Sequence, residues 1–405
     1  MELRSYQKEA VAAIARDIPV PGNSIVSLPT GSGKSIVIAE IASRLGPVLI
    51  MQPSAEILLQ NKEKLARYVP SDDIGVYSAS MNEKNVKKFT LATIGSVYTK
   101  PELFAHYRFA IIDECHLVPV KSLESMFMTF LTRAKIGKII GLTATPWRMD
   151  TQWKDWGTPV AYEYATTKIL TRMKHKSAVR PFWNRIIYHT DIGTLIKDGY
   201  LSPLEYFHNS KIRHENIPTN KSRSDFDLDA YQRLISAEED AIIDAIHRLS
   251  TSSRSTLVFC SSVEQAERMG MVMKKSRVVT ARTSIRDRRE IVDEFKGGNI
   301  PLVFNVGVFT TGFDHPALDA IALLRPTRSI GLYYQMLGRG VRKADGKTSC
   351  RVVDFSGTVR ALGRIETIRL VKTHHWELWS EKGQWHGREL YPIMKPIYGF
   401  KYFTR

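Results

Sequence analysis

Short continuous apolar runs alternate along this chain with longer stretches of helical spacing. The first runs fall at residues 24–28, 47–51, 109–113 and 138–142, and residues 35–45 carry apolar side chains at helical intervals. A second series begins near Ser255, with runs at 255–260, 277–280, 301–306, 320–324 and 350–355 and polar-faced helical patterns at 262–275 and 286–295. Strands apolar on both faces belong in parallel sheets covered by helices on both sides. The pattern therefore predicts an α/β chain of two tandem parallel-sheet lobes. Residues 237–249 read as a helix feeding the second lobe and 222–229 as a loop. The expected divisions are a first lobe at 1–148, an accessory insertion or linker at 149–200, a second lobe at 201–360 and a C-terminal tail at 361–405. All seven tryptophans lie in two stretches outside the strand–helix rhythm, roughly 147–200 and 361–405.

Composition sharpens this picture. The 405 residues suit two or three domains, and 43% hydrophobic content supplies two cores. A net charge of +17 and a pI of about 9.7 favour a polyanionic partner over a merely basic soluble protein. Cys115, Cys260 and Cys350 are far apart and form no CxxC pair, which argues against a disulfide framework or a zinc knuckle. His374 and His375 are adjacent, point different ways and lack partner ligands, so they do not read as a metal site. No apolar leader precedes Leu3-Arg-Ser-Tyr-Gln7, and no run of about 18 apolar residues follows. The expectation is a soluble, monomeric protein of a bacterial or phage-infected cytoplasm, with no membrane partner.

Candidate chemistry clusters at the ends of the predicted strands. Thr30-Gly-Ser-Gly-Lys-Ser35 lies between a strand and a helix. Gly31, Ser32 and Gly33 let backbone N–H groups turn onto phosphate oxygens, and the helix N-terminus adds positive potential. Lys34 is placed to reach the β- and γ-phosphates and the Ser35 hydroxyl to hold Mg2+. Leu28 stands where the full GxxxxGK[ST] pattern has its first glycine. Asp113-Glu-Cys-His116 ends another strand, with Asp113 suited to Mg2+ and Glu114 to orienting and deprotonating water. Thr143-Ala-Thr-Pro146 follows the next strand, and its hydroxyls are suited to linking the nucleotide site to a nucleic-acid path through His116. Gln335, Arg339 and Arg342 are spaced by four and three, which predicts one face of a short helix. Guanidinium groups suit a transferring phosphoryl group. A turn, a solvated strand end or a basic helix end would each explain one of these motifs alone. Their combination points to ATP and Mg2+ gripped from two lobes.

Together these motifs resemble superfamily 2 helicases, which implies two RecA-like lobes with small aromatic-rich accessory elements. Leu3-Arg-Ser-Tyr-Gln7 is similar to that family's Q motif. The resemblance implies Gln7 on the adenine edge and Arg4 or Tyr6 stacked on the base. Thr310-Thr-Gly-Phe-Asp314 looks like motif V, which implies Gly312 and Asp314 near the nucleotide and Thr310 and Thr311 near nucleic-acid phosphate. Gln52-Pro53-Ser54 and Thr93-Ile-Gly95-Ser96 look like strand-contact motifs of the first lobe. Ser261, in 257–262, and Thr280 look like their counterparts in the second. A role at a loop or strand end competes with each of these readings. Over residues 3–356 the likeness extends to RadD-type bacterial helicases and, more loosely, to UvsW-type phage branch-migration helicases. It departs in the tail, where no cysteine follows Cys350, and in the position of the Q motif at the start of the chain.

Basic residues interleave with Trp153, Trp156 and Trp183 in the insertion, and the tail repeats the style around Trp376 and Trp379. Such side chains either stack on unpaired bases or build a small core. The expected activity is an ATP-dependent DNA helicase or translocase acting on single-stranded and branched DNA in replication, recombination or repair. The competing readings are an RNA helicase, a double-stranded DNA translocase that never separates strands, and an ATP-gated DNA-binding clamp.

Overall fold

A computed structural model of the chain describes residues 2–120, 125–155, 161–175, 177–208, 212–220, 225–309 and 313–384. The first strands are β1 (Asn23–Ser27), β2 (Val48–Gln52), β3 (Ile74–Ser78), β4 (Glu83–Lys84), β5 (Phe89–Thr93), β6 (Phe109–Asp113) and β7 (Lys138–Thr143); β1, β2, β6 and β7 are the four apolar runs, and β3, β4 and β5 lie outside them. β8 (Trp147–Asp155) and β9 (Ala161–Ile169) form a two-stranded sheet, and the chain continues through β10 (Trp183–His189). Residues 1–148 and 169–191 make one compact unit, and residues 149–168 and 192–405 make the other.

The sheet of the first unit has the order β10-β1-β7-β6-β2-β5-β3-β4. Every described pairing in it is parallel except β3 with β4. Its helices follow local rules. Ser54 caps Ala55–Leu65 by accepting from Ile57 N, Glu56 sits in the first turn, and Lys62 and Lys64 sit in the last. The buried stripe of that helix is Ile57, Leu58, Asn61 and Leu65, so an amide occupies a core-facing position.

β10, in the stretch read as an accessory insertion or linker, pairs parallel with β1 across five register positions. Burial is the reason. Trp183 is fully buried, and a Cβ built on Gly141 of β7 would lie 2.6 Å from its ring and 2.6 Å from Cys115 Sγ. The same edge is locked by charge. Asp17, closing the helix Ser5–Asp17, meets Lys138 Nζ at 2.7 Å and Arg185 Nε at 2.6 Å and accepts from Ser24 Oγ. Burial alone would raise the Asp17 pKa, but its bonds to Lys138, Ser24 and Arg185 hold it below the usual carboxylate range.

The second unit carries β11 (Leu204–His208), β12 (Thr256–Phe259), β13 (Ser276–Val279), β14 (Leu302–Asn305), β15 (Ala320–Leu323) and β16 (Cys350–Asp354). Their order is β11-β16-β15-β12-β14-β13, with all pairs parallel. Three short antiparallel strands follow: β17 (Arg369–Lys372), β18 (Trp376–Ser380) and β19 (Gly383–Gln384). The predicted feeding helix is Glu239–Thr251. Part of the predicted loop at 222–229 is instead the start of the helix Leu228–Ile235, because Asp227 Oδ1 accepts from Asp229 N and Ala230 N, both at 3.0 Å. No helix among the described residues is long and apolar enough to cross a membrane.

Candidate active-site residues

Parallel pairing brings the motifs of the first unit to one sheet edge. Ser27 pairs with Thr143, Asp113 with Leu142 and Gln52 with Thr93. The glycine loop, Asp113–Glu114, Thr143–Thr145, Pro53–Ser54 and Thr93–Ser96 therefore all leave the carboxyl ends of their strands, where α/β sheets bind ligands. Gly31 and Gly33 both have φ of +80°, a conformation that side-chain-bearing residues avoid. Gly33 is the N-cap of Lys34–Leu45, so the loop's N–H groups run into a helix N-terminus.

The N-terminal motif braces this loop. Tyr6 OH donates to Ser32 O at 2.7 Å and Gln7 Nε2 donates to the same oxygen at 2.9 Å. Gln7 Oε1 accepts from Arg4 N at 3.0 Å. The Gln7 amide assigned to the adenine edge thus spends its oxygen and one hydrogen within the protein, keeping one N–H for another acceptor. A Cβ on Gly33 would lie 2.7 Å from Gln7 Nε2, so this contact also requires glycine. Thr30 is buried, and Arg4 is exposed.

Lys34 Nζ lies 3.5 Å from Glu114 Oε1, and His116 Nδ1 lies 3.4 Å from Glu114 Oε2. His116 Nδ1 is also 2.8 Å from Thr143 Oγ1, which accepts from Thr145 N at 3.0 Å. These contacts join the acidic motif to the threonine motif. Burial pushes the His116 pKa down to about 4, so its ring is neutral at pH 7. Glu114 adopts φ of +49°, and its N–H donates to Asp113 Oδ1 at 3.0 Å. Burial first, then the Glu114 charge, pushes Asp113 up to about 6, while Lys34 and a hydrogen bond from Asn61 pull the other way.

Asn61 is a residue the sequence reading missed. Its Nδ2 donates to Asp113 Oδ2 at 3.1 Å, and its buried Oδ1 has no partner among the described residues. An asparagine on the apolar stripe of an otherwise amphipathic helix was the available signal. Mg2+ commonly takes one or two protein oxygens and fills its shell with phosphate and water. Asp113, Ser35 at the helix start and the orphan Asn61 oxygen fit such an ion. No group of three or more His, Cys, Asp or Glu among the described residues could hold a metal alone.

In the second unit, Phe259 pairs with Asn305, Val279 with Asn305 and Leu323 with Asp354. Ser261 and Thr280 follow β12 and β13 at that edge, and both are buried. Ser261 Oγ donates to Gln265 Oε1 at 2.9 Å and accepts from Gln232, while Thr280 Oγ1 accepts from Arg282 N at 3.1 Å. Asn305 Oδ1 accepts from Val308 N at 3.1 Å and Phe309 N at 2.9 Å. Phe309 stacks on Phe313 with centroids 4.3 Å apart, bracketing Thr310, Thr311 and Gly312, which lie outside the described residues.

The arginine motif departs from its predicted form. The helix Ile330–Leu337 carries Gln335 but ends at Gly338, leaving Arg339 and Arg342 on the following turn. A Cβ on Gly340 would lie 2.6 Å from Cys350 Sγ, so the turn packs closely against β16. The guanidiniums still converge. Arg339 Nη1 and Arg342 Nη1 donate to Phe313 O at 2.7 and 2.9 Å, and Arg342 Nη1 lies 3.0 Å from Asp314 Oδ1.

The remaining candidates differ in access. Pro53 and Ser54 are half-buried, and Ser54 is engaged as a helix cap. Thr93 Oγ1 and Ser96 Oγ share a 2.7 Å bond, and Ser96 Oγ accepts from Ala79 N at 2.9 Å. Gly95 is exposed, with nothing within 4 Å of a Cβ built there. Trp183 sits in the sheet core, which fits packing rather than base stacking. Trp153 lies on β8, and Trp156 falls outside the described residues.

Comparison with known proteins adds a family context. Residues 1–148 match the family "Type III restriction enzyme, res subunit", and residues 238–344 match "Helicase conserved C-terminal domain". "Putative ATP-dependent helicase IRC3" of Saccharomyces cerevisiae is 27% identical over 88% of this chain and 51% of its own length. "DNA 3'-5' translocase XPB2" of Sulfurisphaera tokodaii is 26% identical over 88% of this chain and 82% of its own. Among solved structures, the ATP-dependent Type ISP restriction-modification enzyme LlaBIII bound to DNA aligns with a TM-score of 0.61 and 16% identity, covering 88% of this chain and 28% of that one. The chain thus spans about half the length of the yeast relative. Another solved structure, S. cerevisiae Dbp5 bound to RNA and ADP BeF3, aligns with a TM-score of 0.54 and 13% identity over 87% of this chain and 83% of that one, and the two largely parallel sheets share its RecA-like fold.

Proposed function

We propose that the chain is a superfamily 2 ATP-dependent DNA helicase or translocase, a reading supported by the two family matches at 1–148 and 238–344. The observation that carries the reading is the first sheet's edge, where the glycine loop, Lys34 and the Asp113–Glu114 carboxylates meet, with Lys34 Nζ 3.5 Å from Glu114. In this reading the loop N–H groups and Lys34 bind the ATP phosphates. Ser35 and Asp113 hold Mg2+, which when bound neutralises phosphate charge. Glu114 orients and deprotonates the attacking water. Arg339 and Arg342 stabilise charge on the transferring phosphoryl group, Gln335 supports them, and Asp314 restrains Arg342. Gln7 braces the glycine loop and offers its remaining N–H to the base. Pro53, Ser54, Thr93, Gly95 and Ser96 in one unit, with Thr310 and Thr311 in the other, meet the nucleic-acid strand. Branched DNA such as forks and four-way junctions is the finer substrate proposal, supported by the basic, tryptophan-containing stretches at about 147–200 and 361–405.

ATPase and unwinding assays on single strands, forks and four-way junctions test this. DNA strands should stimulate hydrolysis more than RNA strands, and forked duplexes should separate. Log affinity for single strands should fall with log salt by about 0.7 per phosphate contact. A flat salt response together with unstimulated hydrolysis rejects the proposal. The restriction-enzyme family match over 1–148 favours a second reading, translocation along duplex DNA without strand separation. Displacement of a triplex strand without fork unwinding would select it.

Asn61 gives a narrower prediction. Losing the support of a metal-holding carboxylate typically costs 10–100-fold in metal affinity or activity. Asn61→Leu should raise the Mg2+ concentration needed for half-maximal hydrolysis by about tenfold, within that range. Nucleotide binding without Mg2+ should be unchanged. An unaltered Mg2+ titration would remove Asn61 from this role.

A further inference from the structure

The turn that carries Arg339 and Arg342 is held from behind by one side chain. Lys347 Nζ donates to Gly340 O at 2.6 Å, Arg342 O at 2.8 Å and Pro316 O at 3.1 Å. Two of these carbonyls lie on the arginine turn, and the third lies two residues beyond Asp314. An ammonium has three protons, and each has one carbonyl here. Ser202 completes the arrangement: its N–H donates to Val341 O at 2.7 Å and its hydroxyl to Arg342 O at 3.2 Å. The carbonyls of residues 340, 341 and 342 are therefore all engaged. On the other side of the knot, both guanidiniums donate to Phe313 O. Lys347 itself is anchored three residues before β16, the strand on which Gly340 packs.

We propose that Lys347 is a positioning residue that fixes the arginine turn against the Phe313–Pro316 segment, so that Arg339 and Arg342 are held in one arrangement for catalysis. This rests on the reading that those arginines act on the nucleotide. A flexible turn could reach the same geometry only part of the time, and small misplacements of catalytic groups are costly to rate. The Lys347 ammonium donates to three backbone carbonyls of this turn and its neighbour, so its loss should alter kcat rather than substrate affinity.

Charge gives the mechanism a pH signature. Burial pulls the Lys347 pKa down to about 8, Arg342 adds to the lowering, and Asp319 pulls the other way. The other groups facing it are quiet near that pH. Burial holds Cys350 as a thiol up to about 12 and pushes His315 down to about 4, and the half-buried Arg342 remains a cation. Asp319 accepts from Arg254 N and Ser255 N. As pH rises through about 8, Lys347 loses one of its three donors and the turn loosens.

The test is single-turnover ATP hydrolysis from pH 6.5 to 9.5, about one and a half units either side of that midpoint, for wild type, Lys347→Met, Lys347→Arg and Arg342→Ala. Lys347→Met should lower kcat about tenfold to a hundredfold with KM for ATP and DNA affinity unchanged. Lys347→Arg should recover part of the rate, since a guanidinium keeps charge and several donors. The wild-type rate should fall on the basic side, and that limb should vanish in Lys347→Met. Should Lys347→Met not fold, the wild-type limb and the Lys347→Arg profile still decide. A wild-type rate flat through the basic range, or a Lys347→Met rate equal to wild type, overturns the proposal. A normal rate in Arg342→Ala sinks the underlying arginine reading, whereas a slow Arg342→Ala beside a normal Lys347→Met sinks this inference alone.

Discussion

Glu114→Gln is expected to lower kcat for DNA-stimulated ATP hydrolysis about 10²–10⁴-fold, the range a positioned general base contributes. The substitution keeps volume and removes only charge and basicity. Glu114 sits directly after β6 in a left-handed backbone conformation, between Lys34 at 3.5 Å and His116 at 3.4 Å. Its position comes from backbone geometry, so the amide should occupy the same place. Nucleotide binding should persist, because the glycine loop and Lys34 remain. Strand separation should be lost while DNA binding survives, and this pairing distinguishes a motor from an ATP-gated clamp. Steady-state ATPase, fluorescent-nucleotide binding and fork unwinding on one preparation suffice. Wild-type turnover in Glu114→Gln would sink the motor assignment.

Arg342→Ala is expected to be at least as severe, since a finger arginine is worth about 10³–10⁵ in rate in other NTPases. Arg342→Lys should recover little, because an ammonium cannot reproduce the planar fork. The arginine has structural duties too, bonding Phe313 O at 2.9 Å and meeting Asp314 at 3.0 Å. Thermal unfolding of each variant separates the two roles. Loss of rate with an unchanged unfolding midpoint and an unchanged KM for DNA marks a group acting on the phosphoryl transition state. Loss of rate that tracks loss of folded protein marks a packing residue.

The local half of the site was legible before folding. A phosphate-binding turn needs glycines in left-handed conformations between a strand and a helix, and Gly31 and Gly33 have that form. Asp113 and Glu114 end an apolar run, and strand ends in a parallel sheet face the ligand edge. Three features were not legible. Arg339 and Arg342 were placed on a helix by their spacing, yet Gly338 ends it and the guanidiniums meet at the carbonyl of Phe313, 26 and 29 residues away. Trp183 lies in a basic, tryptophan-rich stretch that reads equally as a base-stacking surface or a small core, and only the pairing of β10 carries it into the core of the first sheet. Asn61 has a partner 52 residues away and leaves only a weak local trace.

What the sequence determined by itself was the strands written as continuous apolar runs, β1, β2, β6, β7 and β12 to β16, and the candidate chemistry at their ends, because periodicity, caps and glycine turns act over a few residues. What only the tertiary structure decided was the company each group keeps. β10 returns to pair with β1 across the 155 residues that separate the two strands, Asn61 reaches Asp113, and Lys347 holds the arginine turn. Those contacts depend on which surfaces bury together, and burial is a property of the whole chain rather than of any short segment of it.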